Sequence, residues 1–553
     1  MKKLFLFSLF FAFLFTGLDF SYAKEKEDPV LQKKKKLIRD HMLFNSAQGR
    51  EFYFAIPSNE VPTFPTDALE IYVTSSKQTT VNLETGLGSF FAKQIQPMDI
   101  TTFSSNDGTA SFSWEVRESE KVLKKGIRIY ADQPLSVYVL NAKPTTSEGF
   151  LALPTSALGT EYIHCSYYDC NESQPWASGF IVVATMDNTK LRIELKGRGY
   201  ASTAGGAKIG DVLTPRNMYA GEVFAVLGDA TTRGAFDLTG SRVVANKPVG
   251  MISFHQRTLI PSWDLWNGRD LLAEMLPPVH AWGQEYITVE YKRDSGQGDF
   301  FRVVAAEDDT EFECTYYDLG GEQVIGRWSG YMNRAGDFNE YLHITATTPN
   351  DLESIRGLSV FKANKPVLVM QYAYSAEWDG NDIFDPFMIQ VVPVEQYIPS
   401  TVFQTPASKA FTDNWFNIIA VGDPDDPEKK KLKSIEVDGQ PLYLQHSQFL
   451  YNRIPETNLF WAKVRMQPGA HRIQGDTKFG GYIYGFSRFD SYGWPAAMAI
   501  NKLDETDTLE PVLEIEGECG DYTVRATELR NGQEGDDPRQ IDQGVSDVQL
   551  LDG

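Results

Sequence analysis

Cysteine is scarce: Cys165, Cys170, Cys314 and Cys519 are all that 553 residues contain. That excludes a small fold held together by disulfides. Positive charge is also in deficit, with 52 Lys and Arg against 74 Asp and Glu and a net charge of -22. A polyanion such as nucleic acid would be repelled overall. After the amino terminus no apolar run reaches the length of a bilayer crossing, so no transmembrane segment is expected in the mature chain. Short catalytic signatures are missing too: there is no G-x-S-x-G, H-E-x-x-H, G-x-x-x-x-G-K-S/T or G-x-G-x-x-G. The seven His residues supply no paired spacing for zinc. The chain reads as a non-enzyme without a resident cofactor, unless two distant carboxylates meet only in the fold, as in a carbohydrate-active hydrolase.

The amino terminus is the one strongly apolar stretch. Lys2 and Lys3 precede Leu4 to Leu18, and Ser21-Tyr22-Ala23 follows. This is the pattern of a cleavable secretory signal over residues 1–23, and it places the protein outside the cell or on its surface. Residues 24–48 read as a polar leader whose basic run, Lys33 to Lys36 with Arg39, is a solvated segment. In an exported protein, Cys165 and Cys170 flank S-Y-Y-D closely enough to close a small disulfide loop, the alternative being two free thiols.

What the chain has in abundance is repetition. S-R-V-V-A-N-K-P-V-G-M-I-S-F at 241–254 returns as L-S-V-F-K-A-N-K-P-V-L-V-M-Q-Y at 358–372 and, more loosely, as I-R-I-Y-A-D-Q-P-L-S-V-Y-V-L at 127–140. Alternating apolar residues, a break at A-N/D-K/Q-P and a second apolar run predict a strand, a tight turn and a strand. Each copy follows a Gly-x-x-aromatic opening at Gly49, Gly159 or Gly283, and a fourth, diverged unit starts near Asn414. The spacing, on the order of 110 to 125 residues, is too long for one solenoid coil or propeller blade. It predicts an all-β chain of tandem β-sandwich-like repeats with very little helix, or alternatively a closed propeller-like arrangement. The units are expected at 49–150, 151–278, 279–395 and 396–500. The only helix expected is Arg269 to Leu276, stopped by Pro277-Pro278. Residues 501–553 read as an acidic linker and the start of a further immunoglobulin-like β module, truncated at Gly553.

Two acidic-aromatic segments occupy corresponding places just after the repeated phrase: P-S-W-D-L-W-N-G-R-D-L-L at 261–272 and A-E-W-D-G-N-D-I-F-D-P-F at 376–387. Trp263, Trp266 and Trp378 are the expected ligand contacts, able to stack on sugars or anchor a protein. Asp379, Asn381, Asp382 and Asp385 offer oxygen ligands over seven residues, a set that would suit calcium although its spacing is not that of an EF-hand. The simpler competing reading is packing between units, with Trp filling a joint and Asp capping a turn. Acidic pairs elsewhere, such as Asp308-Asp309 and Asp425-Asp426, read as turn formers.

D-L-T-G-S-R-V-V-A-N-K-P-V at 237–249, L-P-P-V-H-A-W-G-Q-E-Y at 276–286 and F-G-G-Y-I-Y-G-F-S-R-F-D-S-Y-G-W-P at 479–495 resemble the amino-terminal domain family named after the IgG Fc-binding protein. The resemblance covers roughly residues 49–500. With so few cysteines and this signal, the chain is most similar to the exported bacterial surface members. The resemblance implies an extracellular binding or adhesion protein whose partner is a glycan or a protein. It transfers no catalytic residues, and IgG binding is not carried across. An architectural spacer within a larger surface protein is the remaining alternative.

Overall fold

A computed structural model of the chain describes residues 46–60, 68–105, 114–143, 146–171, 174–231, 236–261, 268–293, 298–341, 354–376, 384–406, 411–503 and the strands at 512–516, 522–527 and 548–550. Residues 1–45, where the signal and most of the leader segment are expected, with Lys33 to Lys36, lie outside the described residues. Strand dominates, and no described helix reaches seven residues. The chain is all-β.

The repeated phrase is not a hairpin. Ile127–Ala142 and Arg242–Thr258 are each one long strand running straight through the expected turn, and Ala470–Ser487 is a strand of similar length in the fourth unit. In the third unit the chain breaks at Asn364-Lys365-Pro366, yet the halves Leu358–Ala363 and Val367–Tyr372 belong to different sheets. The same division applies within Arg242–Thr258: residues 242–244 pair with 161–163 and residues 242–245 with Leu191–Glu194, whereas residues 249–258 pair with Ser178–Ala184 and Asp270–Met275, Gly159 standing opposite Val249 across a register shift. Each phrase is therefore a corner at which a strand passes from one sheet to the other. The proline suits the corner because it has no N–H to give a ladder. Burial changes there as well. Before the corner, inward Val243 and Ala245 alternate with Val244 and Asn246, whereas Val249 to His255 is buried without interruption. One half has a solvated face and the other is covered on both.

The phrase and the Gly-x-x-Tyr opening recur together because they bond to each other. Tyr162 Oη accepts from the Gly159 amide at 2.9 Å and donates to Val249 O at 2.7 Å. Tyr286 repeats this with Gly283 N, at 3.1 Å, and Val367 O. The Asn-Lys pair of the phrase clamps the acidic turn upstream. Asn246 Oδ1 accepts from Lys190 N at 2.7 Å and Lys247 Nζ donates to Asp187 O at 2.8 Å; Asn364 and Lys365 do the same to Glu311 N and Asp308 O, at 2.8 and 2.6 Å. Asn188 and Asp309 hold left-handed backbones in those turns.

The last strands of the units, Glu148–Ala152, Asp270–Met275, Met388–Gln390 and Asp490–Ala497, pack on one another in cyclic order. Pro154, Pro278 and Pro393 each open a three-residue 3₁₀ turn into the next unit. The opening glycines rest against these prolines: a Cβ added at Gly49, Gly159 or Gly283 would stand 2.2, 2.5 or 2.4 Å from the Cβ of Pro154, Pro278 or Pro393. The ring closes where Ser46 bridges Ala499, the Ala47 amide donates to Met498 O at 3.2 Å, and Ser136 Oγ of the first unit donates to Val402 O of the fourth at 2.7 Å.

The helix expected at Arg269 to Leu276 is instead the strand Asp270–Met275, paired with Ile252–Thr258. All six residues are buried, since this strand lies in the central seam between two cores. A short run apolar on every side carries no period that separates helix from strand. After Leu503, Val512–Glu516, Tyr522–Thr527 and Val548–Leu550 form a three-stranded antiparallel sheet.

Candidate functional site

Of the residues expected to bind ligand or metal, Asp385 alone is described; Trp263, Trp266, Trp378, Asp379, Asn381 and Asp382 fall in 262–267 and 377–383, outside the described residues. The described ends of those two segments nevertheless meet. Ile260 N donates to Ser375 Oγ at 2.9 Å and Ser375 N donates to Ile260 O at 3.0 Å. Where the first segment rejoins the fold, Gly268 lies so close to the second that a Cβ would stand 2.4 Å from Asp385 Oδ1 and 2.8 Å from Ala376 Cβ. Two segments more than a hundred residues apart in sequence are thus fastened at their bases to one end of the central seam.

That end is acidic. Thr146, Asp270 and Asp385 each stand eight residues before a junction proline, Pro154, Pro278 and Pro393, and Asp490 starts the corresponding strand of the fourth unit. The repeat delivers equivalent positions from four units to one place, and Glu148 joins them. Asp270, Asp385, Glu148 and Asp490 are all buried. Asp490 accepts from Ser147 N at 2.7 Å, Ser147 Oγ at 3.0 Å and Ser491 N at 3.1 Å. Asp270 accepts from Leu271 N at 2.7 Å and, at the limit of a hydrogen bond, from Ser491 Oγ at 3.5 Å. Glu148 accepts from Gly149 N at 2.9 Å and Gly493 N at 3.2 Å.

Burial, with the neighbouring carboxyls adding to it, raises Asp270 well above the usual carboxylate range. Glu148 is raised by burial against the pull of the Gly149 and Gly493 amides. Asp490 is pushed up to about 7 by burial, with the Ser147 and Ser491 donors opposing. Asp385 is raised by burial and by Asp490, and Arg257 and Arg269 pull it down. Like charges in a dry site cannot all ionise, so the cluster holds protons near neutral pH.

Asp385 differs from the other three in its contacts. Among the described residues the Ala376 amide lies nearest its carboxyl, and no hydrogen bond of ordinary geometry reaches either oxygen. It faces a cavity of about 200 Å³ lined by Arg257, Gly268, Arg269, Asp385 and Phe489. Arg257 forms an ion pair with Glu60 on one side of it. Phe489 sits in a left-handed backbone conformation, φ 51°, between Arg488 and Asp490. A bulky residue adopts that conformation only where its surroundings hold it.

No group of three or more His, Cys, Asp or Glu among the described residues is arranged to hold a metal ion. Cys165 and Cys170 are both buried, and no disulfide joins them. Cys165 Sγ lies 3.6 Å from Tyr372 Oη, on the opposite side of a unit boundary, and burial pushes its thiol up to about 12. The acidic pairs read as turn formers do lie in turns, with Thr310 Oγ1 donating to Glu307 O at 2.8 Å across Asp308-Asp309 and Asp423 Oδ1 accepting from Asp425 N at 3.2 Å.

The D-L-T-G-S segment has a structural task that sequence reasoning did not reveal. Asp237, fully buried, accepts from Thr239 N at 2.8 Å and pairs with the fully buried Arg302 of the next unit at 2.6 Å. Arg302 also donates to Ser166 O at 2.7 Å, pairs with Glu340 at 3.0 Å, and stacks on Tyr167, Tyr168 and Phe338 at 4.8 to 5.0 Å. This polar joint locks two units together. Its only sequence signal was an unusually polar string ahead of a strand.

The family model described as "IgGFc binding protein" matches residues 148–485. A human protein called IgGFc-binding protein (Homo sapiens) is 23% identical over 384 residues, which cover 68% of this chain and 6% of that protein's own length. The matched region contains the Asp237–Arg302 joint, both corner tyrosines and Asp385.

Proposed function

Since the chain belongs to the IgGFc-binding protein family, we propose that it is an extracellular recognition protein, exported by the signal at 1–23, of the kind displayed on bacterial surfaces. Its partner is a glycan or a protein held by equilibrium binding. Contact is made at the acidic end of the seam, beside the described ends Pro261, Gly268, Ala376 and Phe384, with Trp263, Trp266 and Trp378 as contacts. Calcium held by Asp379, Asn381, Asp382 and Asp385 is the metal reading of the same end. The observation that carries the proposal is the double fastening of those segments at Ile260–Ser375 and at Gly268–Asp385. A rigid scaffold presenting loops is how binding surfaces are commonly built. No described helix is long and apolar enough to cross a membrane.

A hydrolytic reading has less support, because three of the four carboxyls that meet in the fold, Glu148, Asp270 and Asp490, are buried and engaged by backbone and serine donors rather than set across an open aromatic cleft. The test is an array of glycans and extracellular proteins probed with residues 24–553, in calcium and in chelator. Saturable binding lost in the Trp263, Trp266 or Trp378 alanine variants, with circular dichroism unchanged, is expected. Binding that survives all three substitutions would remove the ligand from this end, and no binding at all would favour the architectural spacer.

A further inference from the structure

We propose that the outer strand of the third unit, Val324–Met332, is a dimerisation edge: it pairs antiparallel with the same strand of a second copy of this chain, on a two-fold axis at Ser329. The strand ends a sheet whose order is Glu285–Val289, Leu358–Ala363, Thr310–Tyr317, Val324–Met332. Its inner neighbour is Thr310–Tyr317, and among the described residues nothing pairs with its other side. The corresponding edges of the other units are blunted. In the second and fourth units the strand in this place has two residues, Val212–Leu213 and Gln440–Pro441, and in the first Phe90–Ile95 carries Lys93 within it. Short strands, proline and lysine are the usual means by which an edge is kept from pairing. Val324–Met332 has nine residues, no proline and a single charge, Arg327. A row of open N–H and C=O groups of that length is a template for another strand.

The occupant follows from the strand's complementarity to itself read backwards. A register shift leaves Ile325 over between Val324 and Gly326, so the regular ladder is 326–332 and Ser329 stands at its middle. A two-fold axis there sets Trp328 opposite Gly330 of the second copy and Gly326 opposite Met332, on the inner face. Each large side chain meets a glycine. Aromatic rings already lie over those glycines, since a Cβ at Gly330 would stand 2.5 Å from Phe312 Cε1 and one at Gly326 2.3 Å from Tyr316 Oη. Apolar surface thus reaches the open edge, and the second copy's Trp328 covers it. On the outer face Arg327 stands opposite the second copy's Tyr331, whose own cross-strand neighbour is Glu311. Arg327, Tyr331 and Glu311 are all exposed. The guanidinium therefore meets an aromatic face with a carboxylate beside it, and the symmetry makes that contact twice. Within its own copy Arg327 is paired with Glu313 at 3.9 Å, with both side chains more than half exposed, an ion pair of little strength. A net charge of -22 opposes self-association in general. This strand carries no acid, its one charge falls beside an acid of the second copy, and Ser329, the residue that faces itself, is small and uncharged.

The experiment is sedimentation velocity on residues 24–553 over a range of concentrations, joined to disulfide trapping. A concentration-dependent dimer is expected. Ser329→Arg and Arg327→Glu should each weaken it about 10-fold or more, because each brings like charges together across the pairing. Both positions are exposed, so the circular dichroism of the variants should match that of the parent. Under mild oxidation Ser329→Cys should be trapped as a covalent dimer linked through position 329 of both copies, whereas Arg327→Cys and the parent should not, because only position 329 comes close enough to itself for a disulfide. A chain that is still monomeric at about 100 μM would overturn the proposal. So would a dimer that survives both charge variants, or one that Ser329→Cys does not trap. Amide exchange at 324–332 that slows in a monomeric chain only when a partner found on the array is added would give this edge to that partner and overturn the self-pairing.

Discussion

The acid cluster makes the fold's stability fall as pH rises, and Asp490→Asn isolates one share of that effect. Asp490 moves from its usual 3.8 to about 7 in the folded protein. A raised folded pKa means that the native chain holds a proton the unfolded chain has released. Its favourable contribution is complete below 3.8 and is lost as pH rises through about 7. Each pH unit over that interval is worth about 1.36 kcal/mol. Between pH 5 and pH 8.5 the chain should lose roughly 3 kcal/mol through Asp490. Asp270, Asp385 and Glu148 shift in the same direction and steepen the slope. Asn at 490 keeps an oxygen for the Ser147 and Ser491 amides and can give Ser147 Oγ a donor, so the geometry is retained. Urea unfolding of both proteins at pH 5, 6, 7 and 8.5 is the assay. The variant should be flatter with pH by roughly 3 kcal/mol and more stable than the parent at pH 8.5. Parallel profiles, or a variant that weakens most at high pH, would refute the claim that Asp490 is protonated in the folded ring.

Tyr286→Phe should cost about 2 to 4 kcal/mol in urea unfolding, because the Gly283 amide and the Val367 carbonyl both lose the phenol that joins them. Asp237→Ala leaves Arg302 buried without its nearest carboxylate and should cost about 3 to 5 kcal/mol; limited proteolysis should then find new cuts near the boundary between the second and third units. Alkylation followed by peptide mapping, without reductant, should modify Cys165 and Cys170 only after denaturation and find no Cys165–Cys170 linked peptide, since both thiols are buried and unbridged.

The recurring strings marked the right residues for a reason that sequence could supply only in part. The β-branched run Val243-Val244 with Ala245, bounded by Arg242 and Asn246, announced a strand, and the Asn-Lys-Pro break announced a change of direction. The change is a passage between sheets and not a reversal, which depends on which strands lie alongside each half. Gly159 and Tyr162 were visible as an opening motif, yet the carbonyl that Tyr162 reaches lies 87 residues away. At the site, 261–272 and 376–387 were singled out because they follow the phrase in successive units. That their described ends meet, Ile260 on Ser375 and Gly268 against Asp385, was not written in either segment.

Composition, alternation and repetition by themselves determined an all-β chain built from recurring units, since the period of side-chain burial in a strand is local and survives any arrangement of neighbours. Asp270, Asp385 and Asp490 look in sequence like three ordinary acids near prolines. Only the closing of four units around one seam made them neighbours of one another and of Glu148, deprived them of water and set Asp385 against an open cavity. Those are properties of long-range contacts, and the energies of burial and charge proximity that follow from them belong to the tertiary structure alone.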